Sequence, residues 1–169
     1  MKTQDALSLL IALEERVARI YFQFFQAFRE DPIVARCWWD LARDEYGHAG
    51  VLKMVREVAR PEMESREIGP RLWLLVETLE HCEEQARQVE TLGRALELAI
   101  RLESSELDAL GHRVVQSVQT DLPEGTARSF AVMGAHYRRL AEAAACLQDQ
   151  RLRQRLESML TSRTSDSGS

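Results

Sequence analysis

Glu45 and His48 stand three residues apart in the run Glu45-Tyr46-Gly47-His48, so on a helix both side chains leave the same face from neighbouring turns. A carboxylate can bridge two cations, and an imidazole nitrogen binds one. Together they form a donor set suited to iron, manganese or zinc. Glu14 lies upstream of this pair, and Glu103, Glu106 and His136 lie downstream. The interval from Glu103 to His136 is one residue shorter than that from Glu14 to His48. Met133 occupies the position three residues before His136, where the first half has Glu45 before His48.

These groups fall on stripes that are otherwise apolar. Leu10, Glu14, Val17, Tyr21, Phe24 and Phe28 recur at steps of three and four, which predicts a helix from about Gln4 to Arg29. Asp31-Pro32 reads as an N-cap followed by proline at the first helical position. A second helix to about Arg60 then carries Val34, Trp38, Leu41, Glu45, His48, Leu52 and Val55 as an unbroken seam, and Pro61 stops it. Residues 61–70 form a polar connection, and a helix from about Arg71 to Glu90 reads as a crossover lying partly on the outside.

A third long helix is expected from Thr91 to Gln119, with Leu92, Leu96, Ala99, Glu103, Glu106 and Leu110 on one face. Asp121 to Gly125 is a turn. A fourth helix from Thr126 to Gln148, or onward to Leu160, carries Met133, His136, Tyr137, Leu140, Ala144 and Leu147. Carboxylates and imidazoles on such faces are costly unless something compensates them, and a metal ion between the helices would do so.

Ile11-Ala12-Leu13-Glu14 is similar to Ile100-Arg101-Leu102-Glu103, so the chain reads as two degenerate helical hairpins joined by the crossover. The expected architecture is all-α: a four-helix bundle in a single domain over residues 1–160, with a polar tail over 161–169. Hydrophobic residues make up 45% and charged residues 29% of the 169, and Gly and Pro number only 8 and 4, a composition that favours helices over strands.

The formal charge of −5 argues against nucleic-acid binding. No apolar run reaches the roughly 18 residues of a membrane span, and the first residues lack the pattern of a signal peptide. Cys37, Cys82 and Cys146 are odd in number and form no Cys-x-x-Cys pair, which argues against a disulfide framework or a rubredoxin-type site. A cytoplasmic location with reduced thiols is expected. Cys37 and Cys146 read as small apolar residues, Trp38 as part of the seam, and Trp39 and Trp73 as surface or subunit-contact residues. His81 beside Cys82, and His112, are read as facing solvent. Tyr46 reads as a packing residue, while Tyr21 and Tyr137 can also hydrogen-bond metal ligands.

The set Glu14, Tyr21 and Glu45-Tyr46-Gly47-His48, followed by Glu103, Glu106 and His136, resembles the rubrerythrin branch of the ferritin-like superfamily. The resemblance covers nearly the whole chain apart from the tail. It implies two irons, or one if Met133 abolishes a position, with zinc or manganese as other candidates. It also implies Glu14 and Glu103 as terminal ligands, Glu45 as a bridge, His48 and His136 as nitrogen ligands, and Glu106 as a substitute or mobile ligand, unless Glu106 is a solvated helix charge. The reaction implied is oxidation of Fe(II) by peroxide or dioxygen, with electrons from a separate donor and a homodimeric assembly. Met133 departs from the family pattern, since a thioether is a poor ligand for ferric iron. It favours the other reading: a non-catalytic bundle for metal binding, storage or partner binding.

Overall fold

The computed structural model describes residues 2–58, 68–105, 107–117, 133–148 and 150–166. Among them the chain is all-helical: α1 (Thr3–Ala27), α2 (Pro32–Val58), α3 (Ile68–Ala86), α4 (Leu92–Glu103), α5 (Leu107–Ser117), α6 (Met133–Ala144) and α7 (Gln150–Asp166). No described helix is long and apolar enough to cross a membrane.

α1 and α2 form an antiparallel hairpin, and the turn between them follows the local code. The Asp31 carboxylate accepts hydrogen bonds from the backbone N–H of Ile33 (3.0 Å) and Val34 (3.2 Å), two donors that no preceding helical turn can satisfy. Every member of the α2 seam is buried. At the closed end of the hairpin Trp38 is fully buried, 6.0 Å from the Tyr21 ring and edge-on to Phe24 at 5.1 Å. α3 crosses this pair with Leu72, Leu75, Leu79 and Cys82 inward and Trp73 and Leu74 outward. Arg16 of α1 ties it down with a two-pronged pair to Glu83, both contacts at 2.8 Å. α6 packs on α4 and α2, and α7 on α6 and α4. Gly93 permits the last contact: a Cβ there would lie 2.3 Å from a Leu152 methyl.

Two expected helices are broken. The span from Thr91 to Gln119 splits into α4 and α5 at Ser104-Ser105. There the backbone N–H of Leu107 donates to the Ser105 hydroxyl (3.4 Å) and that of Ser105 to the Leu102 carbonyl (2.9 Å). Serine side chains compete in this way with the helical ladder. The Glu103 carbonyl, the helical acceptor for Leu107, receives the Tyr137 hydroxyl instead at 3.0 Å. The fourth helix ends at Ala144 rather than at Gln148 or Leu160. Its last turn tightens through Cys146 N–H to Ala143 O and Leu147 N–H to Ala144 O, and α7 starts afresh. α7 runs to Asp166, into the segment expected to be a polar tail. The expected stop at Pro61, the turn over 121–125 and the start of the fourth helix lie outside the described residues.

Trp38 is the largest fully buried side chain, so truncation leaves a cavity that its ring neighbours cannot fill. Trp38→Ala is expected to lower unfolding stability by about 3–5 kcal/mol, read from urea denaturation.

Candidate metal centre

Each predicted ligand within the described residues is buried: Glu14 and His136 at 0% exposure, Glu45 at 3%, His48 at 5% and Glu103 at 6%. They come from α1, α2, α4 and α6. They form two overlapping groups, Glu14–Glu45–His48 and Glu45–Glu103–His136, with the donor atoms of each group all within 4.8 Å of one another. Glu45 belongs to both. Its Oε2 lies 3.1 Å from Nδ1 of His48, and its Oε1 lies 3.6 Å from Nδ1 of His136. His48 Nδ1 also faces Glu14 Oε2 at 3.8 Å, and His136 Nδ1 faces Glu103 Oε2 at 2.9 Å. The two rings are 5.9 Å apart, centroid to centroid.

The carboxylate of Glu103 is held at both oxygens. Tyr21 donates its hydroxyl to Oε1 at 2.6 Å, leaving Oε2 for the His136 side. Tyr137 grips the same residue through its main chain. The helix break thus sits immediately beyond a candidate ligand, and α6 supplies both the imidazole and the hydroxyl that fasten it.

Asp44 belongs to the site, and spacing alone does not reveal it. It precedes Glu45 and so points off the seam. Its Oδ2 lies 3.5 Å from His136 Nε2. Arg139, one turn beyond His136, pairs with that oxygen, and Arg43 reaches Oδ1 at 3.0 Å. Burial alone would raise the Asp44 carboxyl, but hydrogen bonds from His136, Arg139 and Arg43 hold it well below the usual carboxylate range. With a metal bound, an anion behind Nε2 would favour the tautomer that leaves Nδ1 free to coordinate. The signal in hindsight is the pairing of Asp44 with Arg139, legible only once α2 and α6 are adjacent.

Packing three carboxylates and two imidazoles out of water displaces the protonation of Glu45, His48 and His136. Burial of Glu45, beside the charges of Glu14 and Glu103 and against the opposing pull of His48, pushes its carboxyl up to about 8. Burial disfavours the charged form of His48, but hydrogen bonds and charge from Glu14 and Glu45 outweigh it and raise the imidazole to about 11. His136 follows the same pattern: burial opposes the charge, while Glu103, Asp44 and Glu45 together raise it to about 11. Without a metal, protons neutralise the cluster.

Mixed oxygen and nitrogen donors converging from four helices, with one carboxylate shared, fit one or two ions of the iron, manganese or zinc kind. Glu106 lies outside the described residues, and Met133 is placed only as the first residue of α6. His81 is exposed and pairs with Gln85, as expected, whereas His112 is half-buried rather than fully solvated. The cysteines are free, and burial pushes the Cys37 thiol up to about 12. No family model, curated protein or solved structure matches the chain.

The pH dependence follows from the signs. Imidazoles raised from 6.5 to about 11 contribute stability that is complete below pH 6.5 and is lost as pH rises through 11. A carboxyl raised from 4.5 to about 8 likewise favours the protonated fold, so its contribution falls between those values. Metal-free protein is therefore expected to melt at a lower temperature at pH 9 than at pH 6. Metal ions, which displace those protons, should stabilise it more at the higher pH. Thermal scans with and without Zn(II), alongside proton release in a weakly buffered indicator solution at pH 7, check this. A metal titration that releases no proton contradicts the assignment.

Proposed function

We propose that the chain is a rubrerythrin-like member of the ferritin-like superfamily, in which α1, α2, α4 and α6 form the bundle and α3 the crossover. The observation that carries this reading is the division of Glu45, one oxygen toward each imidazole group. A carboxylate so placed would be shared between two ions, with Glu14 and His48 holding one and Glu103 and His136 the other. Iron held there would supply two electrons, one from each Fe(II) as it becomes Fe(III), to hydrogen peroxide, which with two protons would be reduced to two waters; dioxygen is the other candidate oxidant.

The protein's own part is positional and electrostatic. Tyr21 and Tyr137 fix Glu103, and Asp44 orients His136. The leucine and valine walls exclude bulk water, which strengthens every charge interaction inside. A separate electron donor would restore the ferrous state, since the chain has no Cys-x-x-Cys pair for an electron-transfer metal. Homodimerisation is supported by the partly exposed ring cluster of Phe22, Phe25 and Trp39.

One observation favours the non-catalytic alternative. Met133 opens α6 one turn before His136, where a second bridging carboxylate would complete the pattern. On that reading the bundle holds a single ion, zinc included, and stores or presents it without a redox cycle.

Element analysis of protein reconstituted anaerobically with Fe(II) separates the readings. The two-ion proposal expects close to two irons per chain and peroxide-driven oxidation, and binding of one ion without oxidation overturns it. Glu45→Gln removes the shared anion and is expected to abolish binding at one position and weaken the other by about tenfold or more, read by calorimetry. Met133→Glu is expected to strengthen the second ion.

A further inference from the structure

The described residues contain a chain of cavities leading to the centre. On the surface between α3, α4 and α7 lies a groove of about 640 Å3. Leu75, Thr78 and Ser105 line it and also line a small inner cavity of about 10 Å3. Val17, Leu102, Ser105 and Leu107 are shared between that cavity and a third, also about 10 Å3, whose remaining walls are Glu45 and Glu103. Ser105 is common to all three. The two inner cavities are each about the volume one water needs.

We infer that small molecules reach the carboxylate–histidine centre from this groove, through the gap that the α4–α5 break opens beside Ser105, and that the route favours small neutral or anionic species over cations. The inference rests on the metal-centre reading above and names its entrance and the charge class of its substrate. Three independent features converge on it.

The helix break lies where it is needed. Diverting Leu107 N–H to the Ser105 hydroxyl interrupts the helical ladder two residues beyond Glu103, and the short side chains of Ser104 and Ser105 line the groove there. The walls of the middle cavity are mostly leucine and valine, which pass an uncharged or weakly hydrated solute and offer nothing to a hydrated metal ion.

Among its described lining residues the groove carries Arg94, Arg101 and Arg155 beside the carboxylate of Glu97. Glu97 is engaged by Arg94 at 2.9 Å and by Arg155, while Arg101 contacts the neutral Gln85 amide at 3.3 Å. The mouth is thus positive in a chain whose formal charge is −5. Such a field concentrates anions and repels cations. Hydrogen peroxide, dioxygen and small anions such as azide suit the route by charge and are slender enough to need only a small yielding of the inner walls. Bulky hydroperoxides do not fit by size.

The test uses the full chain and two readouts. In Co(II)-loaded protein, azide binding is followed by its visible spectrum in stopped flow; in Fe(II)-loaded protein, oxidation by hydrogen peroxide and by tert-butyl hydroperoxide is followed. Thr78 is half-buried on α3 and touches none of the ligands. Thr78→Trp is expected to slow azide binding and peroxide oxidation severalfold with Co(II) affinity unchanged. Thr78→Ala is expected to raise the rate with tert-butyl hydroperoxide relative to hydrogen peroxide. Arg101→Glu is expected to slow azide by about tenfold or more at low salt and to change neutral peroxide far less. Unchanged azide and peroxide rates in Thr78→Trp overturn the route, whatever the centre does. If Thr78→Trp does not fold, unchanged rates in both other variants overturn it. A centre that binds cobalt and azide but leaves peroxide untouched overturns the redox reading while the azide arm still judges the entrance. A chain that takes up no metal overturns both.

Discussion

The structure depends on one carboxylate reaching two ways. Glu45 is 3% exposed and stands between two imidazoles that are themselves buried. Removing a carboxylate from water costs several kcal/mol unless opposite charge meets it. Here the cost is multiplied by Glu14 and Glu103 close by, and it is met by a proton on Glu45 itself and by positive charge on the two imidazoles. Protons supply that charge in the metal-free chain, which is why both imidazoles are held protonated far above their usual range. Divalent ions at the same positions would supply it without the penalty of charging two buried rings. The requirement draws α1, α2, α4 and α6 toward one point.

Around that point the irregularities of the fold acquire a common cause. An uninterrupted helix from Thr91 to Gln119 would commit the Glu103 carbonyl to Leu107. The serine pair releases it, Tyr137 takes it, and α6 is thereby fastened beside α4 at the level of His136. The same break leaves the narrow space beside Ser105. Asp44 and Arg139 form a second tie between α2 and α6, on the far side of the His136 ring. His136 is met at both ring nitrogens, by Glu103 at Nδ1 and Asp44 at Nε2, which fixes the orientation of its ring.

The two halves of the centre are unequal. On the His48 side, the imidazole and the shared carboxylate of Glu45 lie one turn apart on a single helix, so their relative position is a local property of α2. On the His136 side the carboxylate partners come from α2 and α4, because Met133 stands where a local carboxylate would be. The His136 side is therefore the more sensitive to helix packing, and two ions bound there and at His48 would differ in affinity for that reason.

Much of this was legible in the chain itself. The 3.6-residue period placed Glu14, Glu45, His48, Glu103 and His136 on apolar faces, because a stripe must be buried and whatever sits on it is buried with it. Asp31-Pro32 marked the turn for the same local reason. The all-helical class follows from composition and period together. What periodicity cannot express is which polar atoms meet across helices. The split at Ser104-Ser105 depends on a tyrosine from α6 donating to the Glu103 carbonyl in place of the Leu107 N–H; the end of the fourth helix at Ala144 depends on α7 folding back onto α4 at Gly93. Asp44 lies off the seam, and its pairing with His136 and Arg139 exists only once α2 and α6 are side by side. The sequence determined which side chains had to be inside; tertiary packing decided which of them touch, because hydrogen bonds act over a few ångströms between residues that the chain separates by dozens of positions.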